Sequence, residues 1–119
     1  MDKELFEYTT KKVDELLAAA SSSQTTRDAA QAWKDAIASG ADADAATVEL
    51  LDVIDQHHTT IDEVLAFAQG AAKQVLGEEA AAQMLAHELK RKEEGAKYCD
   101  CAACVAAQEL LAKHGRPVL

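Results

Sequence analysis

Proline occurs once in this sequence, at Pro117, and aromatic residues make up only 4% of it. Proline breaks helix interiors, so its scarcity leaves long helical stretches uninterrupted. Strands draw on aromatic and β-branched residues, whereas alanine, which is very frequent here, is the residue least costly to place in a helix. Both balances argue against a sheet. An excess of basic charge is also missing, because the formal net charge is −9. A nucleic-acid binder gains affinity by neutralising phosphates with clustered Lys and Arg, and an anionic membrane surface attracts the same residues. The one dense basic run, Lys90, Arg91 and Lys92, is followed at once by Glu93 and Glu94 and reads as a solvated helix face. Neither nucleic acid nor membrane is expected as a partner.

Long apolar runs are lacking as well. None approaches the roughly 20 residues that span a bilayer. The segment Met1 to Thr10, with Asp2, Lys3, Glu4 and Glu7, lacks the apolar core of a signal peptide. Cysteine is confined to Cys99, Cys101 and Cys104, an odd and clustered set that makes no disulfide framework. A reducing, cytoplasmic setting is the expectation. There is no Walker loop, G-x-S-x-G elbow, dinucleotide fingerprint or H-E-x-x-H run, so the chain carries none of the common catalytic signatures.

What is present is amphipathic periodicity. The 119 residues, 49% apolar and 28% charged, suffice for one domain with one core. Phe6, Val13, Leu16, Leu17 and Ala20 form the stripe of a first helix, from Asp2 to about Ala20. Ser21 to Thr25 reads as a loop, with Thr25 and Asp28 as a weak capping box for a second helix. That helix turns Ala29, Ala30, Trp33 and Ile37 inward and ends near Gly40. Asp42 or Asp44 caps a third, with the stripe Thr47, Leu50, Leu51 and Ile54. Thr60 and Glu63 form a full capping box for a fourth, whose stripe Ile61, Val64, Leu65, Ala68, Ala72 and Val75 keeps phase through Gly70. It reads as one helix with an internal glycine, a break at Gly70 being the alternative. A fifth, from Glu78 to about Glu94, turns Ala82, Leu85 and Leu89 inward, and Gly95 stops it. A sixth runs from about Cys101 to His114, ended by Gly115 and Pro117. The expectation is an all-α single domain over residues 1–119, a compact bundle or array of about six amphipathic helices.

The run Tyr98–Cys99–Asp100–Cys101–Ala102–Ala103–Cys104 holds every cysteine. Thiolates bind zinc and other soft ions, and a two-residue gap lets both sulfurs reach one ion. Cys99 adds a third sulfur, and a helix starting near Cys101 offers N–H groups that stabilise a thiolate. Cys99, Cys101 and Cys104 are therefore candidate metal ligands, with zinc the first ion to consider. A closed zinc site wants four ligands. His114 lies ten residues past Cys104 on one helix, roughly 15 Å away at about 1.5 Å per residue, and His87 faces away from the inward stripe of its helix. His57 or His58 would serve only if the third helix ended beside the cysteines. Water, Asp100 or a second chain complete the options. The competing reading makes Cys101, Cys104 and Leu111 small packing residues on one face of the last helix. Cys101 and Cys104 also have thioredoxin-type spacing, without the preceding strand that motif uses.

Asp55 and His58 have the carboxylate-x-x-His spacing of di-iron bundles, but no second such motif accompanies them, so His57 and His58 read as caps at a helix end. His114 reads the same way. Trp33 is a core or interface anchor whose indole N–H wants a partner, and Met84 is packing.

With Ala32–Trp33, Ile61–Asp62–Glu63, Ala66–Phe67–Ala68 and the cysteine run, the chain resembles a family of short proteins of anaerobic Gram-positive bacteria, often labelled heat-shock chaperones of the ninety-kilodalton class. The resemblance covers nearly the full length, and the cysteine run is its specific part. The family pattern often has proline where this chain has Ala102, which agrees with a helix start there. An ATP-driven chaperone needs a nucleotide-binding domain, and the chain has neither the length nor a phosphate-binding loop for one. The resemblance thus implies a stress context rather than an ATPase, and it supplies no catalytic residues. The expected function is a non-enzymatic helical protein that binds a soft metal or senses oxidation through its cysteines. The alternative is a protein–protein interaction or stress-associated module, a homo-oligomer or the docking site of another protein, with the cysteines as packing. A thiol oxidoreductase ranks third.

Overall fold

The computed structural model describes residues 1–118. The fold is all-α: among the described residues there are seven helices and no strand, α1 (Lys3–Ala18), α2 (Gln24–Ala38), α3 (Ala43–Asp55), α4 (Ile61–Gln69), α5 (Ala72–Val75), α6 (Glu78–Glu93) and α7 (Ala102–Lys113). None of these helices is long and apolar enough to cross a membrane. The chain forms two compact units, one made of Met1–His57 and Asp100–Leu119, the other of His58–Cys99.

In the first unit α1 packs on α2 and α7, and α3 packs on the same two helices, which closes a ring of four. Its core is Val13 and Leu16 of α1, Ala30 and Trp33 of α2, Leu50, Leu51 and Ile54 of α3, and Ala103, Ala106, Leu110 and Leu111 of α7. Each fully buried leucine or valine contributes about 1.5–3 kcal/mol of transfer free energy, and the alanines let neighbouring helices approach. Trp33 is 3% exposed, tilts against the Phe6 ring at 5.8 Å, and its indole N–H donates to Thr47 Oγ1 at 3.0 Å. The partner that a buried indole requires thus comes from the α3 stripe. α7 is tied to α1 by Lys12, a buried ammonium that donates to Glu15 at 3.0 Å and to Glu109 at 2.8 Å. The Glu109 carboxylate, ahead of the opposing effect of burial, raises the Lys12 ammonium above its ordinary range.

The C-terminal end of α7 closes on Gly115, which adopts φ +78°. Its N–H donates to Ala112 O at 3.1 Å and that of Arg116 to Leu111 O at 2.8 Å, the paired bonds of a Schellman turn. His114, just before it, places Nε2 2.9 Å from Thr9 Oγ1. The single hydroxyl proton of Thr9 goes to Leu5 O at 2.8 Å, so His114 Nε2 carries the proton it donates. Burial lowers the His114 imidazole below its usual value, against a smaller opposing pull from Asp44. A lowered value means that the folded state binds fewer protons than the unfolded one. The stabilisation from the neutral ring is complete above about pH 6.5 and is lost as pH falls from there through the lowered value. Urea midpoints of the native chain should fall across that window, and His114→Gln, which keeps a donor toward Thr9, should flatten the step. Equal slopes in both proteins would assign the acid sensitivity elsewhere.

In the second unit α6 packs on both α4 and α5, around Ile61, Val64, Leu65 and Ala68 of α4, Ala72 of α5 and Ala81 of α6. Thr60 caps α4 with both halves of the capping box present. Three elements differ from the sequence reading. The fourth helix does break at Gly70, where φ −126° and ψ −97° leave the helical region and the ladder tightens to the bonds Gly70 N–H to Phe67 O and Lys73 N–H to Gly70 O, at 3.1 and 3.2 Å. Glycine is the helical residue that gains most from leaving the ladder. On α6 the buried positions are Ala81 and Glu88, while Ala82 is exposed and Leu89 is 44% exposed. Only Leu85, half-buried, keeps its expected side. The cap of α2 is Ser23, accepting from Thr26 N–H at 3.2 Å, and Thr25 lies inside the helix.

Candidate metal centre

The cysteine run starts where α6 ends. Gly95, at φ +95°, terminates α6 with a second Schellman turn, its N–H donating to Lys92 O and that of Ala96 to Arg91 O, both at 3.0 Å. The chain then runs extended beside the entry to α4. Ile61 N–H donates to Lys97 O at 2.9 Å and Cys99 N–H to Thr59 O at 3.0 Å, which makes an isolated antiparallel bridge between Thr60 and Tyr98. Arg91 of α6 adds a third tie. Its Nη1 donates to Tyr98 O at 2.9 Å and to the Glu88 carboxylate at 2.8 Å, and Glu88 is only 3% exposed. The Tyr98 ring lies against the His58 imidazole at 5.5 Å. The peptide that enters Cys99 is thus held at both its carbonyl and its N–H, and Cys99 is 7% exposed.

Cys101 opens α7. Its backbone is extended at φ −64° and ψ 162°, the conformation of an N-cap, and its Sγ accepts from Cys104 N–H at 3.4 Å. This is the position that serine, threonine or aspartate usually fills. Sulfur there receives an amide donor and the positive end of the helix dipole, both of which favour negative charge on it. Ala103 N–H donates to Ser21 Oγ at 3.3 Å, so the first turn of α7 is capped from within and from the α1–α2 loop. Cys101 and Cys104 are half-buried.

Along this continuous stretch the three sulfurs lie within 4.8 Å of one another, and none is in a disulfide. Tetrahedral zinc with bonds of about 2.3 Å separates neighbouring sulfurs by about 3.8 Å, so the cluster needs little adjustment to close on an ion. Cys99, Cys101 and Cys104 are brought together as the spacing predicts, close enough to coordinate a metal. The group that forms at that distance comprises the three sulfurs. His114 is engaged by Thr9 at the far end of α7, and His58 lies against Tyr98. His87 is exposed, with Nε2 3.8 Å from Glu88. α3 ends at Asp55, so Asp55 and His58 do not share a helical face.

Two residues that hold the cluster in place escape a sequence reading. Arg91 sits in a run that reads as solvated, yet it joins a buried carboxylate to the Tyr98 carbonyl. The available signal was the i, i+3 spacing of Glu88 and Arg91, which puts opposite charges on one helix face. Ser21 has no local signal, because its partner lies 82 positions along the chain. Comparison with protein-family models, with curated proteins and with solved structures finds no match to this chain.

Proposed function

We propose that this chain is a non-enzymatic metal-binding protein that holds a soft ion through Cys99, Cys101 and Cys104. The observation that carries the reading is the mutual approach of all three sulfurs to within 4.8 Å, with Cys101 Sγ already facing an amide of the α7 N-terminus. Thiolates select soft ions such as zinc and monovalent copper over magnesium or calcium. A reducing cytoplasm, where thiols stay available, suits such a site. When the ion is lost the same thiols become open to oxidation, so an oxidation-sensing role uses the same residues.

Elemental analysis of protein purified without an affinity tag tests the reading. About one equivalent of a thiophilic metal is expected in the native chain, and none in the C101S/C104S variant. Removal of the ion by a chelator should lower the thermal midpoint, since binding to the folded state alone stabilises it. A metal-free native chain, with three thiols that react only after unfolding, overturns the reading in favour of cysteines that merely pack. One observation favours a second role as an interaction module. In the unit His58–Cys99 the large apolar residues Phe67, Val75, Leu76 and Leu89 are 38%, 70%, 46% and 44% exposed, apolar area that a second chain could cover. Sedimentation at high concentration checks self-association through that surface.

A further inference from the structure

Resting on the interaction role above, we infer that α6 pairs antiparallel with the α6 of a second copy of this chain. Helical spacing carries the first part of the case. Ala82, Ala86 and Leu89 follow one another at steps of four and three, which sets them on one face of the helix. All three are exposed, Leu89 at 44%. The face turned to α4 and α5 is instead marked by Ala81 and Glu88, the two buried positions of the helix. Small side chains at two successive positions let a second helix approach closely, and the leucine supplies apolar area for it to cover.

Charge selects the occupant. α6 carries Glu78 and Glu79 in its first turn and Lys90, Arg91 and Lys92 in its last, and Glu78, Glu79, Lys90 and Lys92 are exposed. A second copy running the opposite way, with Ala82 of each helix layered on Ala86 of the other, sets each acidic turn beside a basic one. Glu93, which continues the same face four residues past Leu89, then falls about one turn beyond the start of the opposing helix. A parallel copy would instead set Glu79 against Glu79 and Glu93 against Glu93, where like charges repel. The chain as a whole opposes self-association, with 21 acidic and 12 basic residues. The unit His58–Cys99 holds seven of the acidic and five of the basic ones, so two copies meeting through it repel least. A contact confined to two 16-residue helices lies at the small end of specific interfaces, so the dimer is reversible and its charge pairs weaken with salt.

Sedimentation velocity of the full chain, in reductant and with or without a chelator, is followed over rising concentration. The native protein should form a reversible dimer under both conditions. Ala86→Glu keeps a good helix former but sets a carboxylate near the middle of the contact, and should raise the dissociation constant more than about tenfold. E78K/E79K and K90E/K92E should each weaken self-association, whereas their equimolar mixture should pair at least as tightly as the native chain. Circular dichroism establishes that each variant is folded. In a parallel pair each end would meet its own kind before and after the exchange. Native affinity in both single-end variants would therefore overturn the antiparallel arrangement. A dimer that Ala86→Glu leaves intact, or one that the chelator dissolves, would place self-association elsewhere and leave the interaction role standing. A strict monomer at high concentration would end both.

Discussion

Replacement of Trp33 by alanine is expected to destabilise the unit of α1, α2, α3 and α7 by about 3–5 kcal/mol, the usual cost of removing a large buried aromatic. The indole is 3% exposed, packs on Phe6 at 5.8 Å, and lies in a core otherwise built from alanine, valine, leucine and isoleucine. A polar loss adds to the cavity, because Thr47, 2% exposed, gives up the donor it meets at 3.0 Å. Thr47→Val reads that bond separately. It keeps the shape but leaves a buried indole N–H without an acceptor, at about 1–3 kcal/mol. Trp33→Phe with Thr47→Val replaces both polar partners, so the double variant should lose less than the sum of the singles, with a coupling of about 0.5–3 kcal/mol. Urea denaturation at pH 7.5, above the His114 window, measures the native chain, Trp33→Ala, Thr47→Val, Trp33→Phe and the double variant. A Thr47→Val cost near zero would mean that the bond contributes nothing net.

The same pair marks what the sequence makes legible. Trp33 and Thr47 lie on apolar stripes of adjacent helices, and the need of a buried indole for a partner follows from chemistry alone. The capping box of Thr60 and Glu63 is equally local, and both of its halves form. The proximity of the three cysteines is legible because five peptide bonds connect them. Reading fails where a choice depends on elements far apart or on a polar group that is buried. On α6 the inward stripe of Ala82, Leu85 and Leu89 assumed that glutamate faces water. Glu88 instead turns in, since Arg91 meets its carboxylate, and the helix rotates to leave Leu89 outside. Gly70 kept phase with its neighbours, so periodicity alone could not register a break whose cause is the backbone freedom of glycine. Whether His57 or His58 could serve the cysteines likewise depended on where the third helix ends, which periodicity does not fix.

The Glu88–Arg91 pair also gives the largest expected effect at the site. Arg91→Met should keep most of the aliphatic packing while removing the guanidinium that faces a carboxylate 3% exposed. Taking one partner from a buried ion pair costs on the order of 3 kcal/mol. Glu88→Gln should cost less, because an amide oxygen still accepts from Arg91 Nη1. Arg91→Lys should fall between the two, since a compact ammonium replaces a planar group whose one nitrogen serves both Glu88 and Tyr98. These costs fall on the unit His58–Cys99, and amide hydrogen exchange can localise them to the Tyr98 and Cys99 backbone. The consequence for the sulfurs is specific. Cys99 is held by its own N–H bond to Thr59 O and by the Arg91 bond one residue earlier, whereas Cys104 sits inside the first turn of α7. In Arg91→Met the Cys99 thiol should react faster with a small alkylating reagent, while the rate at Cys104 stays near that of the native chain. Peptide mapping after timed alkylation reads the two positions separately. Equal acceleration at both would mean that the variant loosens the chain as a whole. No change at Cys99 would mean that the Thr59 and Ile61 backbone bonds suffice to keep the buried sulfur in place.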